Sequence, residues 1–244
     1  MYNIRNIKER LNKKGDELIL YHGSRGGIEG DIKPESRSRC DFGRGFYMGT
    51  NPQQVKGLVV EDASPVLYTI RLPLSEVNPD NILFLEDEKW LYAILAHRGR
   101  VEEFNGLKAA EEIKAECLEY DFLIGSIADD RMNEAMKRFA ENGLTDEGLK
   151  GCLESVNYGV QVVAKTQRAC RMLEIISERD ISGKEADDIR RYIIQKRQES
   201  KDVVDKMSRE YVRKGLYLSE IIDKEKLKEK TDRPSDKEKK ESKL

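Results

Sequence analysis

Residues 18–49 read LILYHGSRGGIEGDIKPESRSRCDFGRGFYMG, and two strand-like runs, Glu17–His22 and Gly45–Met48, bracket a loop rich in glycine and arginine. A side-chain period of two puts Leu18, Leu20 and His22 on one face of the first run, so an imidazole ends an otherwise apolar row. In the second run Tyr47 follows Gly45 and Phe46, and glycines at 43, 45 and 49 leave room for another backbone or a ligand to approach closely. The loop carries Gly23, Gly26, Gly27 and Gly30, then Arg37, Arg39 and Arg44. A connection of that length without a periodic pattern is unusual in a compact domain unless it binds something. Three guanidiniums beside a glycine-rich loop would neutralise a pyrophosphate through forked hydrogen bonds. Taken singly, each residue also has a plainer use: the histidine as a bonded structural residue, the tyrosine as a strand aromatic, the glycines as turns, the arginines as a solvated loop.

Outward from this stretch, Asn3–Lys14 has the pattern of a short basic amphipathic helix. Val66–Leu72 (VLYTIRL) reads as a strand, Asp87–His97 as a helix holding the lone tryptophan, Trp90, and Tyr120–Gly125 as a further strand. A helix starts at Asp129-Asp130-Arg131 with an aspartate as cap and stops at Asn142-Gly143; another starts at Thr145. Tyr158–Lys165 alternates so that Gln161 and Val163 share one face and Val160, Val162 and Ala164 the other, and Thr166 can cap a helix to Ile176. Lys184–Lys214 reads as a long charged helix with a broken apolar stripe at Ile189, Ile193, Val203, Val204 and Met207, suited to docking on the main domain or on a partner. From Asp223 onward the chain is almost pure charge, which predicts disorder. The expected division is an N-terminal arm at 1–15, a main domain at 16–176, a helical extension at 177–222 and a tail at 223–244.

Composition narrows the function classes. The 244 residues carry 44 Lys and Arg against 46 Asp and Glu, so no overall cationic field draws the chain onto nucleic acid or a membrane. The four cysteines, Cys40, Cys117, Cys152 and Cys170, lack CxxC spacing and read as thiols of a reducing compartment. With no apolar leader segment and no run of about 18 apolar residues, a soluble, cytoplasmic protein without a membrane partner or a metal is expected. Gly43-x-Gly45-x-x-x-Gly49 misses the dinucleotide fingerprint because Met48 occupies the third glycine position, and no Walker loop occurs. Ser24 lacks a nucleophile elbow, which sets aside acyl transfer by His22 and Ser24.

Four stretches in order, YHGS at 21–24, DFGRGFYMGT at 41–50, IADDRM at 127–132 and QVVAKT at 161–166, together resemble an uncharacterised bacterial family placed within the ADP-ribosyltransferase clan, over residues 16–176. The resemblance implies an α+β fold with a split, strongly curved β-core, surrounding helices, and NAD as co-substrate in a cleft between two small sheets. It assigns His22 to the ribose next to nicotinamide, the Gly23 backbone to the carboxamide, and Tyr47 to a stack on the nicotinamide ring. Ser24, Arg37, Arg39, Gly43, Arg44 and Gly45 complete the NAD-binding set. The strand expected to present a catalytic glutamate carries Gln161, so the catalytic set reads His22, Tyr47, Gln161, with convergence on one cleft expected. An amide keeps the orienting hydrogen bonds of a carboxylate and loses its charge; Glu154 or Asp129-Asp130-Arg131 could supply that charge, although an N-cap explains the aspartates more simply. The expected activity is mono-ADP-ribosylation of a protein or nucleic acid by a bacterial or phage toxin or defence effector. The alternative is a catalytically weakened module that holds NAD or ADP-ribose and engages a partner or antitoxin through its C-terminal helix.

Overall fold

The computed structural model describes residues 3–11, 16–37, 39–98, 108–128, 130–154 and 159–231. It is an α+β fold: one open, mostly antiparallel sheet of seven strands, with nine α-helices among the described residues. The strands are β1 (Glu17–Ser24), β2 (Phe46–Gly49), β3 (Val66–Pro73), β4 (Ile82–Leu85), β5 (Phe122–Ser126), β6 (Val160–Ala164) and β7 (Glu174–Asp180), arranged in the order β4-β5-β6-β2-β1-β3-β7. β4 and β5 run parallel; the other neighbouring pairs are antiparallel.

Period-2 alternation produces two apolar faces, as expected for a sheet covered on both sides. Leu18 and Leu20 are fully buried on one face with Phe46, Met48, Val160 and Val162. Each such side chain contributes roughly 1.5–3 kcal/mol of burial free energy. Val163 and Leu123 take the opposite face. There they meet α3 (Asp87–Arg98), α4 (Lys108–Glu116), α5 (Asp130–Ala140) and α6 (Asp146–Glu154) through Trp90, Ile94, Ile113, Phe139 and Leu149. Under β1 and β3, that same side is covered by α2 (Pro52–Gly57) and the start of α8 (Gly183–Glu210), with Val55, Leu67, Ala186 and Ile189 in contact. Two separate small sheets are not what forms. The sheet is continuous, but β2 and β1 are joined by a single register pair, Tyr21 opposite Gly49, whereas β1 pairs with β3 along its whole length.

Several boundaries move. The helix expected from Thr166 to Ile176 is the short α7 (Gln167–Arg171), capped where Thr166 Oγ1 accepts the Ala169 N–H at 3.1 Å. The chain then turns into edge strand β7, which pairs with β3, so the main domain runs past 176 to Asp180. β7 is almost entirely exposed and leaves no alternating signal to read. β4 and the six-residue α2 were likewise not legible. The extension packs on the main domain, one of the two places its apolar stripe suited: Val204 of α8 and Leu218 of α9 (Leu218–Thr231) belong to the larger core cluster. The nearly buried Lys56 Nζ donates to Glu185 at 2.8 Å, while Arg179 also bonds Glu185 and holds its carboxyl down to about 2. The stretch from Asp223 to Thr231, expected to be disordered, continues α9; residues 232–244 lie outside the described residues.

Candidate active site

β1 and β2 part immediately beyond Tyr21 and Gly49, and His22 enters the gap. Its Nδ1 lies 2.7 Å from the Tyr47 carbonyl, and its ring stacks on Phe46 with centroids 4.2 Å apart. A carbonyl only accepts, so Nδ1 carries the proton and Nε2 is left as the acceptor. Burial lowers the pKa of His22, outweighing the opposing pull of the Tyr47 carbonyl, and favours this neutral tautomer. A hydroxyl-bearing ligand would meet an imidazole that accepts its hydrogen bond.

Tyr47 is fixed at both ends. Its hydroxyl accepts from Phe42 N at 2.9 Å and donates to Gly43 O at 2.6 Å. Burial, reinforced by the nearby Asp41 charge, pushes the phenol well above its ordinary pKa, so Tyr47 offers a rigid ring rather than an acid or base. Gly43 holds this turn at φ +75°, and a β-carbon there would come within 2.8 Å of the His97 ring. At Gly45 the missing β-carbon makes way for Val163 Cγ1 at 2.5 Å. The close approaches expected at these two glycines are therefore made by the protein's own side chains.

Gln161 lies on β6 opposite Gly49 of β2 and Gly125 of β5. Directly opposed residues share a face, so Gln161, Gly49 and Tyr47 point to the same side, together with Tyr21. By the same register His22 belongs to the other face, with Phe46 and Tyr68. The expected convergence of all three side chains on one cleft is therefore not what the register gives. Tyr47 and Gln161 share a face, and His22 reaches Tyr47 from the far side, through the gap between the strands.

Gln161 is 6 % exposed, and its Nε2 donates to Asp41 Oδ2 at 2.9 Å and to Ser126 O at 3.0 Å. The same Ser126 carbonyl accepts Trp90 Nε1 at 2.7 Å. Asp41, 7 % exposed, also takes Arg98 Nε on Oδ1 at 2.6 Å, and Arg98 donates on to the Ala128 carbonyl. This carboxylate was not singled out from the sequence, where position 41 reads as the start of a glycine-rich motif with no partner in view. Asp129 lies outside the described residues, and only the helical backbone is described for Asp130, Arg131 and Glu154.

The remaining residues of the set divide. Ser24 is spent locally, its hydroxyl donating to Gly27 O at 2.7 Å, and Gly23 packs against Val55 and Val59. Arg37, Arg39 and Arg44 are exposed. Ser36 Oγ accepts the Gly45 N–H at 3.2 Å, which ties the segment bearing Arg37 to the one bearing Arg44. Cys117, Cys152 and Cys170 are buried thiols with pKa pushed up to about 11, which disfavours the nucleophilic thiolate. Among the described residues no helix is long and apolar enough to cross a membrane.

Residues 18–175, more than half of the chain, match the family described as "Protein of unknown function (DUF3990)". The chain belongs to the DUF3990 family. Comparison with curated proteins and with solved structures finds no match. The DUF3990 match begins at Leu18, in β1, and ends at Ile175, in β7, so it takes in His22, Tyr47, Gln161 and Asp41 but not α8 or α9.

Proposed function

We propose that this DUF3990 protein is an NAD-dependent mono-ADP-ribosyltransferase of bacterial or phage origin, a toxin or defence effector that modifies a macromolecule in the cytoplasm. The observation that carries the proposal is the Tyr47 ring and the Gln161 amide together on one face of the sheet, with a neutral His22 on the opposite face bonded to the Tyr47 backbone where β1 and β2 stop pairing. This set suits NAD chemically: an acceptor nitrogen for a ribose hydroxyl, an aromatic surface for nicotinamide, and exposed arginines on the joining loop for the pyrophosphate. As co-substrate NAD supplies an activated ribose, whose bond to nicotinamide breaks with both electrons going to nicotinamide while an acceptor's lone pair forms the new bond and the acceptor's proton passes to water. The protein's part is to hold the ribose at His22, fix the ring against Tyr47 and direct the Gln161 amide at the positive charge that develops.

A second assignment draws on the amide itself. Without a carboxylate at 161 the site also suits a weakened module that binds NAD or ADP-ribose and acts through a partner or antitoxin at α8. Nicotinamide release on mixing the full chain with NAD separates the two: release supports the transferase, and tight binding without release supports the module. Labelled NAD incubated with the protein and cell lysate, then split between protease and nuclease, identifies the acceptor class. Neither release nor binding would overturn both.

A further inference from the structure

β6 is a buried strand whose other members, Val160, Val162, Val163 and Ala164, are all apolar, so Gln161 is its single polar residue. Burying an amide and a carboxylate there carries a desolvation cost that another valine would avoid. The amide is also held in one orientation. Both groups facing Nε2, the Asp41 carboxylate and the Ser126 carbonyl, only accept, so nitrogen must face them and Oε1 points away, with no hydrogen-bond partner among the described residues. Asp41 is fixed in turn, with Oδ1 committed to Arg98 and Oδ2 shared between Gln161 and the Ala128 N–H at 3.3 Å.

We propose that Asp41 is a positioning residue that acts through Gln161: its charge, placed behind the amide N–H, polarises the amide so that Oε1 presents the negative potential a glutamate would present directly. A charge-assisted hydrogen bond is about twice as strong as a neutral one, and hydrogen-bonded groups polarise one another along a chain. This inference rests on the transferase assignment. Neither Asp41 nor Gln161 forms a covalent bond. The ribose–nicotinamide bond breaks with its electron pair going to nicotinamide, the acceptor supplies the new pair, and its proton goes to water. Chain position could not disclose the pairing, because 120 residues separate the two side chains.

The test is an exchange of charge between the two positions, with kcat and KM for nicotinamide release, NAD affinity by calorimetry and a melting temperature measured for each full-length protein. Asp41→Asn should lower kcat by about 10- to 100-fold with little change in affinity. Gln161→Glu should also lower kcat, since it sets two carboxylates in hydrogen-bond contact, and its pH profile should gain an ionisation that the wild type lacks. The double variant Asp41→Asn/Gln161→Glu restores an amide–carboxylate pair with the charge at the reacting end and should recover kcat to within about tenfold of wild type. If Asp41→Asn leaves an active protein's kcat unchanged, or the double variant melts normally and stays as slow as the singles, the proposal falls while the transferase assignment stands. A wild-type protein that releases no nicotinamide overturns both. Should Asp41→Asn fail to fold, Gln161→Glu alone decides: a pH profile of unchanged shape overturns the coupling.

Discussion

His22 Nδ1 and the carbonyl of Tyr47, 25 residues apart in sequence, meet at 2.7 Å where β1 and β2 separate. A ladder N–H that would otherwise fill this place is replaced by a side chain. β1 and β2 share a single register pair, and the imidazole that bonds Tyr47 beyond it keeps Nε2 as an acceptor.

Tyr47 has separable parts. Tyr47→Phe removes the bonds to Phe42 N and Gly43 O and should cost about 1–3 kcal/mol of stability in urea melts, with NAD affinity changed by less than about threefold. Tyr47→Ala removes the ring as well. Stacking contributes about 0.5–1.5 kcal/mol beyond area burial, so affinity should fall up to about tenfold from stacking alone, and further from lost burial. Unchanged NAD affinity in a folded Tyr47→Ala protein would take the ring out of the site.

Gln161→Ala should separate turnover from binding. An interaction made mainly in the transition state appears in kcat, so nicotinamide release should slow while NAD affinity measured by calorimetry stays within about threefold. A proportional loss of both would mean that Gln161 holds the ground state instead.

The arginines should respond to salt. Arg37, Arg39 and Arg44 are exposed on joined segments, and exposed charges are screened over about 8 Å at physiological ionic strength. NAD affinity should weaken from 50 to 500 mM salt in the wild type and show a flatter dependence when all three are changed to glutamine. The salt dependence of Tyr47→Ala should match the wild type, since a stack carries no net charge.

The chain's two histidines, His22 and His97, both have lowered pKa in the fold. Burial is the main cause in each, with Lys165 and Lys114 also acting on His97, which falls to about 4. Unfolded, both protonate near 6.5. The unfolded chain therefore binds more protons just below pH 6.5. Stability should fall as pH drops through that value and stop falling on their account once the folded pKa values are passed. Nitrogen-detected NMR should show both rings neutral at pH 6.5, and His97→Phe should flatten the pH dependence of urea melts between about 6.5 and 4.

Truncation after Asp180 tests whether the helical extension belongs to the domain. It uncovers partners of Ala186, Ile189, Val204 and Leu218, all at most 6 % exposed, and leaves Lys56 without Glu185. The shortened chain should melt at a lower temperature and expose apolar surface that binds a hydrophobic dye. A cooperative melt at the full-length temperature would show the extension to be an accessory.

Strand faces were legible from the residues because side-chain direction alternates with a fixed period: Leu18, Leu20 and His22 on one side, Gln161 and Val163 on one side, each as found. Helix limits set by local chemistry were legible for the same reason, as at Thr166, where the cap lies within three residues. β7 was not, because an exposed edge strand is defined by pairing with β3 and not by its own pattern. Which faces meet which is a matter of register. Register put Tyr47 on the same face as Gln161 and His22 on the opposite one, and the turn before β2 brought Asp41 against an amide 120 residues away. Those pairings depend on how strands distant in sequence align, and no local property of either segment carries that information.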